Sequence, residues 1–531
     1  MVGIVRQSPP AAVGTAAERL GFRKAGTPAV ASAWLWLLAI LAVGLALRIW
    51  HLGQESLWLD EADSWRFAQL SQHALWTEPL DTHPPLYYSL LRLWRVFGQS
   101  EAALRSLSVV FGALAIGLTY LLGRQMVDER AGLFAAALMA TSTLQLQYSQ
   151  EARSYEMLTA ASLVASIGLV GVLQAHEAGR RPRVGSCIAY VGGMVFTLYA
   201  HNIALLLFAV AGLIGLADVM RWRRLDGLAV WAALNGLVLA GWRYWLPVVW
   251  KQGTGKLPQL NWLHPPDLHA VVYTAHALYG EQYVYTLRPV ITLIGFSLGL
   301  VGAFLYRRAG LPVAYLLAAV FGIPIVEIAI SHLGRPVFMT RTVIWVAPLF
   351  FVLVAAAFSG LRPSRVLFAA GLIVALQLVG VKNYEQTMRK EPWRGTIQRV
   401  RAEACPGDVT ILAPYYLLDS PFWYYFRHHV VPGRVIGAYT GNNESPDRRI
   451  DPIEFTNFSH LDETLLSFPR VWVFVDKSFA PEAADFIARL LSHHALSKSI
   501  VMRHTAVELF TVPGSSCSSP GDQARASPEH P

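Results

Sequence analysis

The chain reads as an α-helical polytopic membrane protein. It should carry about eleven transmembrane helices, interfacial helices, and a small C-terminal α/β domain outside the membrane. Three observations predict this. Hydrophobic residues make up 54% of the 531 and charged residues only 15%, against about 25% charge in soluble globular chains. The mean hydropathy is +0.38. Apolar runs approaching the roughly 20 residues needed to cross the hydrocarbon core recur as far as residue 381 and then stop.

Residues 1–31 are a polar lead carrying Arg6, Arg19, Arg23 and Lys24. No small-residue cleavage site follows the first apolar run, so the lead reads as a cytoplasmic tail and the run as a retained span. Residues 32–381 form the membrane domain. Its spans are predicted at 33–50, 106–123, 132–148, 157–175, 186–200, 203–220, 228–249, 289–306, 311–330, 343–360 and 365–381. One set of connectors holds Arg124 and Arg130; Arg180, Arg181 and Arg183; Arg221, Arg223 and Arg224; Arg307 and Arg308; Arg362 and Arg365. The positive-inside rule makes these cytoplasmic. The net charge of +9 therefore belongs to membrane topology rather than to nucleic acid. The other connectors face out: 51–105, 149–156, His201-Asn202, 251–288 and 331–342. The chain from 382 onward faces the same side. Pro85 to Phe97 is apolar but too short to span, and Arg92 and Arg95 interrupt it. It reads as an amphipathic helix lying on the outer leaflet.

Residues 382–512 change composition. Helices are predicted at 396–404, 417–427 and 481–494, and strands at 409–413, 471–475 and 507–511. The alternation indicates a small α/β domain. Residues 513–531 are rich in Ser, Pro and Gly and read as disordered. Cys187, Cys405 and Cys517 show no metal-ligand spacing. Cys405 and Cys517 could pair on an oxidising side.

The outward connectors gather the reactive residues. Trp58-Leu-Asp60-Glu61-Ala-Asp63-Ser-Trp65 follows the first span. Its tryptophans suit a membrane-water interface. Adjacent helical residues point about 100° apart, so Asp60 and Glu61 should have separate roles: one accepts a proton, the other orients or binds a cation. Alternatively the acids only stabilise a helix N-terminus. Tyr148-Ser-Gln150-Glu151-Ala-Arg153-Ser-Tyr155 joins two spans. Glu151 and Arg153 either close the loop as an ion pair or face a cavity. Arg335 and Arg341 stand against the positive-inside rule, and arginine matches phosphate geometry. Snorkelling to lipid head groups is the alternative for Arg341. His83 and Tyr87 in His83-Pro84-Pro85-Leu86-Tyr87, Arg105 before the second span, and His201 complete the set. His83 could bind phosphate or sugar, and Tyr87 could stack on a sugar ring. No P-loop, nucleotide-binding glycine pattern, serine-nucleophile elbow or HExxH is present, so a soluble nucleotide-sugar site has no support.

These motifs, in this order, resemble the C-type membrane glycosyltransferases of the family 39-like kind. That group includes protein O-mannosyltransferases, lipid A aminoarabinose transferases and rhizobial lipopolysaccharide sugar transferases. Lys390-Glu-Pro-Trp393-Arg394 is similar to the opening of the outer domain in many bacterial members. The resemblance implies a GT-C fold, with the catalytic first outer loop at 51–105. It implies a polyprenyl-phosphate sugar donor and a hydroxyl acceptor on an envelope lipid, glycan or protein. It places the protein in a bacterial inner membrane, with site and C-terminus facing the periplasm or exterior. Asp60 matches the acid taken as catalytic base, and Glu151 the second acidic position. His83, Tyr87, Arg105, Arg153, His201, Arg335 and Arg341 become substrate-binding candidates. No cofactor is certain; a divalent cation could be held by Asp60 and Glu61. A lipid-linked sugar transporter or flippase, or a non-catalytic scaffold, are the rival readings.

Overall fold

The structure is a computed structural model. It describes residues 30–77, 82–222, 225–254, 263–427, 433–439, 451–454, 468–515 and 517. Nearly all of the expected N-terminal tail, and residues 516 and 518–531 of the expected C-terminal tail, lie outside the described residues. The chain divides into two compact units. The first comprises residues up to Leu52 together with Ser71–Met388; the second comprises Gly53–Leu70 and the residues from Arg389 on.

The first unit is helical. Among the described residues, six helices are long and apolar enough to cross a membrane: Glu101–Met126, Tyr155–Glu177, Ala204–Arg221, Arg288–Leu305, Leu311–Leu333 and Pro363–Thr387. Four shorter apolar helices, Ala33–Ile49, Val184–Ala200, Gly227–Trp242 and Thr340–Ala356, stand at other expected spans. The remaining expected span, 132–148, is not one helix. It divides into Glu129–Thr141 and Thr143–Ser149, because Ser142 is extended (φ −60°, ψ 120°) and its side chain caps the second helix. The short helix Leu86–Trp94 exists as expected and ends in a 3₁₀ turn, Arg95–Phe97. It buries Tyr87, Tyr88 and Leu91 and exposes Leu93, Val96 and Phe97.

Two devices hold the helices together. Arg48 is fully buried. Its guanidinium donates to the carbonyls of Gly44 (3.0 Å), Ala140 (3.0 Å) and Met139 (3.1 Å) and to Ser149 Oγ (2.9 Å). It thus satisfies carbonyls that the break at Ser142 leaves without helical partners. Close backbone packing is the second device. A Cβ on Gly168 would stand 2.2 Å from Tyr190 N, and one on Gly193 would stand 2.4 Å from Ala165 N. Helices Tyr155–Glu177 and Val184–Ala200 therefore touch through small residues, as membrane helices do when dispersion and not water drives association. Gly168→Val should force them apart, at ~3 kcal/mol or more. The expected result is loss of the monodisperse peak in detergent gel filtration. A wild-type yield and profile would refute the contact.

The second unit carries a six-stranded sheet, with β1 Val409–Ala413, β2 Arg434–Tyr439, β3 Asp451–Glu454, β4 Arg470–Asp476, β5 Ala495–Val501 and β6 Thr505–Thr511. Its order is β3-β2-β1-β4-β6-β5. The first four strands run parallel, and β6 pairs antiparallel with β4 and β5. The central strands are buried on both sides, which a parallel sheet requires. Val409, Ile411, Val471 and Val473 pack with Phe486 and Leu490 of the helix Ala480–His493 on one face. Leu412, Trp472 and Phe474 pack with Trp393 and Ile397 and with Leu418 and Phe422 on the other. Trp393 and Ile397 belong to the helix Trp393–Glu403, and Leu418 and Phe422 to Tyr415–Phe426. Cys405 and Cys517 form a disulfide with Cα atoms 5.5 Å apart, which fastens the segment after β6 to the end of the helix Trp393–Glu403.

Candidate functional site

In the first unit, residues from distant stretches of the chain meet. The turn Thr82-His83-Pro84 leads into the helix Leu86–Trp94, with Pro85 at its N-cap. Arg153 is 5% exposed. Its Nη2 lies 3.2 and 3.3 Å from the two ring nitrogens of His83, and its Nη1 lies 3.3 Å from Tyr88 Oη. A second chain of bonds fixes the backbone beneath it. Tyr87 Oη meets Ser108 Oγ at 2.9 Å, and Ser108 Oγ donates to the Arg153 carbonyl at 3.1 Å. The loop itself is tight, with Arg153 N donating to the Glu151 carbonyl at 2.8 Å. Arg105 is buried one turn earlier on the Ser108 helix and donates to the Leu52 carbonyl at 2.9 Å.

The His201-Asn202 turn closes on the same place. The His201 ring stands edge-on to His83, with centroids 4.7 Å apart. Tyr155 lies against both rings, and Tyr148 stands 5.1 Å from Tyr155. Asn202 donates to the Thr82 carbonyl at 2.8 Å and to Gln252 Oε1 at 2.7 Å. Arg335 joins through Gln252, whose carbonyl accepts from Arg335 Nη1 at 2.6 Å. Arg341 lies within electrostatic reach of Tyr148, as does Glu151. Its turn is shaped by Thr342, which donates to the buried Glu327 at 2.6 Å. The result is a cluster of arginines, imidazoles and phenol rings with the Glu151 carboxylate nearby. Guanidinium groups suit phosphate, and aromatic faces suit the C–H face of a sugar ring.

Asp60 and Glu61 belong to the second unit. They open the helix Leu59–Phe67. Asp60 is half-buried, whereas Glu61 is fully buried. Glu61 Oε2 accepts from Lys390 Nζ at 2.9 Å and from Trp58 N at 3.4 Å. The expectation that Glu61 shares the chemistry thus meets a different geometry: its carboxylate is committed to an ion pair and to the helix start. A divalent cation there fits poorly for the same reason, since Lys390 already stands at the oxygen such an ion would need. Among the described residues no group of three or more His, Cys, Asp or Glu could hold a metal ion.

Farther along the helix, Asp63 Oδ1 accepts from Ser420 Oγ at 2.6 Å, and Arg66 Nη1 pairs with Asp419 Oδ2 at 2.5 Å. Burial, then the facing Asp419 carboxylate, push the Asp63 carboxyl up to about 7 from its ordinary 3.8; Asp60 adds to the rise, and the Ser420 bond and Arg66 oppose it. The folded value is the higher one, so the fold prefers the neutral acid. This support is complete below about pH 4 and is lost as pH rises through about 7. Amide exchange in 59–67, corrected for its intrinsic rate, should be slower at pH 5.5 than at pH 8. Asp63→Asn should remove the difference; equal protection at both values in the wild type would refute the shift.

Residues 82–245 match the family model described as dolichyl-phosphate-mannose-protein mannosyltransferase, a stretch that holds His83, Tyr87, Arg105, Glu151, Arg153 and His201. The structure matches the crystal structure of ArnT from Cupriavidus metallidurans in the apo state, with a TM-score of 0.59 and 13% identity, over 91% of this chain and 98% of that one. By fold, the chain is similar to this C-type membrane glycosyltransferase. ArnT bound to undecaprenyl phosphate gives a TM-score of 0.54 at 14% identity, with the same coverage of both chains. In sequence, the chain is 31% identical over 219 residues to the undecaprenyl phosphate-alpha-4-amino-4-deoxy-L-arabinose arabinosyl transferase of Pseudomonas paraeruginosa. That match covers 38% of this chain and 39% of the relative, so the chain spans about two-fifths of that protein's length.

Sequence reasoning missed several members of the cluster. Tyr88 directly follows the His83–Tyr87 motif and Tyr155 closes the Tyr148–Tyr155 motif, but nothing in their spacing marks either for the site. Gln252 and Thr342 carry no signal in the sequence, because their role is to meet residues far away in the chain. Arg48 reads as the end of a span, and Glu156, fully buried and within electrostatic reach of Arg48, reads as the last residue of the connector 149–156.

Proposed function

We propose that the protein transfers a sugar from a polyprenyl-phosphate donor to a hydroxyl of an envelope lipid, glycan or protein on the outer side of the membrane. The observation that carries this is the meeting of His83, Tyr88, Arg153, Tyr155 and His201, from three separate stretches, in a fold shared with a protein that binds undecaprenyl phosphate. In this reading Arg153, with Arg335 and Arg341, holds the donor phosphate, and the tyrosines flank the sugar. Asp60 is the general base. The acceptor oxygen attacks the anomeric carbon as the carbon–oxygen bond to phosphate breaks. The proton passes to the Asp60 carboxylate, and the electron pair leaves with the polyprenyl phosphate. One displacement inverts the anomeric centre. The transition state has oxocarbenium character, as in glycoside cleavage, and the arginines stabilise the charge gathering on the leaving phosphate.

The Cys405–Cys517 bridge supports an oxidising, extracytoplasmic side for the second unit, since disulfides persist there and not in the cytosol. The cationic cluster favours transfer over simple transport, because transporters bind near the bilayer midplane between broken helices. The test is mass spectrometry of envelope lipids and glycans with and without the gene. A sugar lost on deletion and restored by the wild-type gene names donor and acceptor together. An unchanged envelope, with no turnover of lipid-linked sugars by the purified protein, would overturn the reading.

A further inference from the structure

The helix Leu59–Phe67 is poorly equipped to hold itself. It has nine residues, below the ~12–15 at which isolated helices begin to be stable in water. Asp60, Glu61 and Asp63 crowd three acids into it. Its stability must come from what it packs against.

Within the second unit that support surrounds it. Upstream, Arg394 Nη2 donates to the Gly53 carbonyl at 2.9 Å, Arg394 N donates to Ser56 Oγ at 3.1 Å, and Tyr425 Oη accepts from Leu57 N at 2.7 Å. On the helix, Lys390 takes Glu61, Ser420 takes Asp63, and Asp419 takes Arg66. Trp65 meets Tyr424 edge-on at 5.2 Å. Asp419 and Ser420 are both buried, in the helix Tyr415–Phe426 that packs against the sheet. Around the axis, at about 100° per residue, Glu61 lies about 100° to one side of Asp60 and Asp63 about 60° to the other. The helix is pinned on both sides of Asp60, so it can neither roll nor slide without breaking a buried contact.

We infer that the C-terminal α/β domain positions the helix that carries Asp60, with Asp419 and Ser420 as its positioning residues acting through Arg66 and Asp63. This rests on the reading of Asp60 as the base. A base must sit within hydrogen-bond reach of the proton it takes, and a misplacement of about 1 Å costs about 10²-fold in rate. The domain's contribution should therefore fall on turnover, not on donor binding.

The experiment compares Asp419→Asn, Ser420→Ala and Arg66→Gln in the purified full-length protein. Asp419→Asn is expected to lower kcat by about 10- to 100-fold with donor KM within about threefold. Amide exchange in 59–67 should speed up while the sheet stays protected. Asp419→Glu should recover most of the turnover. Combining Asp419→Asn with Arg66→Gln should be no worse than either alone, because both remove one contact. In an Asp60→Asn background, Asp419→Asn should add nothing. If Asp419→Asn fails to fold, Arg66→Gln decides, since Arg66 is the partly exposed partner at 29%. Wild-type kcat and unchanged exchange in the foldable variants, with Asp60→Asn inactive, would sink the positioning role and leave the base intact. A fully active Asp60→Asn would sink the base; the exchange of 59–67 then decides alone whether the domain holds the helix.

Discussion

Asp60→Asn is expected to lower turnover by about 10²–10⁴-fold, the usual worth of a positioned general base, while the protein folds and binds donor as before. Asparagine keeps the shape and most of the hydrogen-bonding capacity of aspartate but has no site of useful basicity. The helix around it should survive, because its anchors include Glu61, Asp63 and Arg66, and the bond from the Ser64 hydroxyl to the Asp60 backbone carbonyl, at 2.9 Å, is kept on substitution. Glu61→Gln should behave differently. Glu61 is wholly buried against Lys390, and removing one partner of a buried ion pair costs about 3–5 kcal/mol, so that variant should lose stability before it loses chemistry. Single-turnover rates with a lipid-linked sugar, beside thermal unfolding of both variants, make the comparison. Turnover of Asp60→Asn within tenfold of wild type would remove Asp60 from the mechanism.

The membrane helices were legible because their signal is local. A run of apolar residues bounded by arginine or glycine needs no partner to be recognised, and length alone decides whether it can cross. The break at Ser142 was not legible, since Ser is tolerated in a helix and only its capping bond to Gln145 N, with Arg48 taking up the carbonyls just before it, makes the division pay. In the α/β domain the strands read correctly were the buried ones, Val409–Ala413, Val471–Val475 and Val507–Thr511, which are continuous apolar runs. The missed strands are β2, β3 and β5. β3 contains Pro452 and lies at the sheet edge, where proline is confined because it cannot donate to the ladder. β5, Ala495–Val501, is the other edge, mostly exposed and interrupted by Ser497, Lys498 and Ser499.

The site was legible in its residue types and not in its grouping. His83, Arg153 and His201 stood out as polar residues at the ends of apolar runs, and the structure brings them into contact. No spacing in the sequence could pair Lys390 with Glu61 or Asp419 with Arg66, which lie 329 and 353 residues apart. Such pairs are set by the tertiary fold, and a single sequence holds no record of them. For that reason the first outer loop looked like part of the membrane domain, whereas residues 53–70 pack with the C-terminal unit.

Arg153→Gln should be the most damaging change in the first unit, lowering kcat/KM for the donor by about 10²–10³-fold, the loss expected when one preorganised charge-stabilising donor is removed. The guanidinium is buried and already oriented, with His83 on one side and Tyr88 on the other, so in the proposed role it would meet a phosphate without reorganising. Glutamine keeps some hydrogen-bonding capacity and loses the charge. Arg153→Lys keeps the charge but not the planar fork, and its shorter reach should leave it between glutamine and wild type. Tyr88→Phe supplies the control. It deletes a neutral partner worth about 1 kcal/mol, so it should cost less than about tenfold. The three variants should therefore rank Tyr88→Phe, Arg153→Lys, Arg153→Gln in increasing loss, and binding of undecaprenyl phosphate should follow the same order. If Arg153→Gln binds undecaprenyl phosphate within about threefold of wild type and turns over within tenfold, the phosphate is held elsewhere. Arg335 and Arg341 then become the groups to remove next.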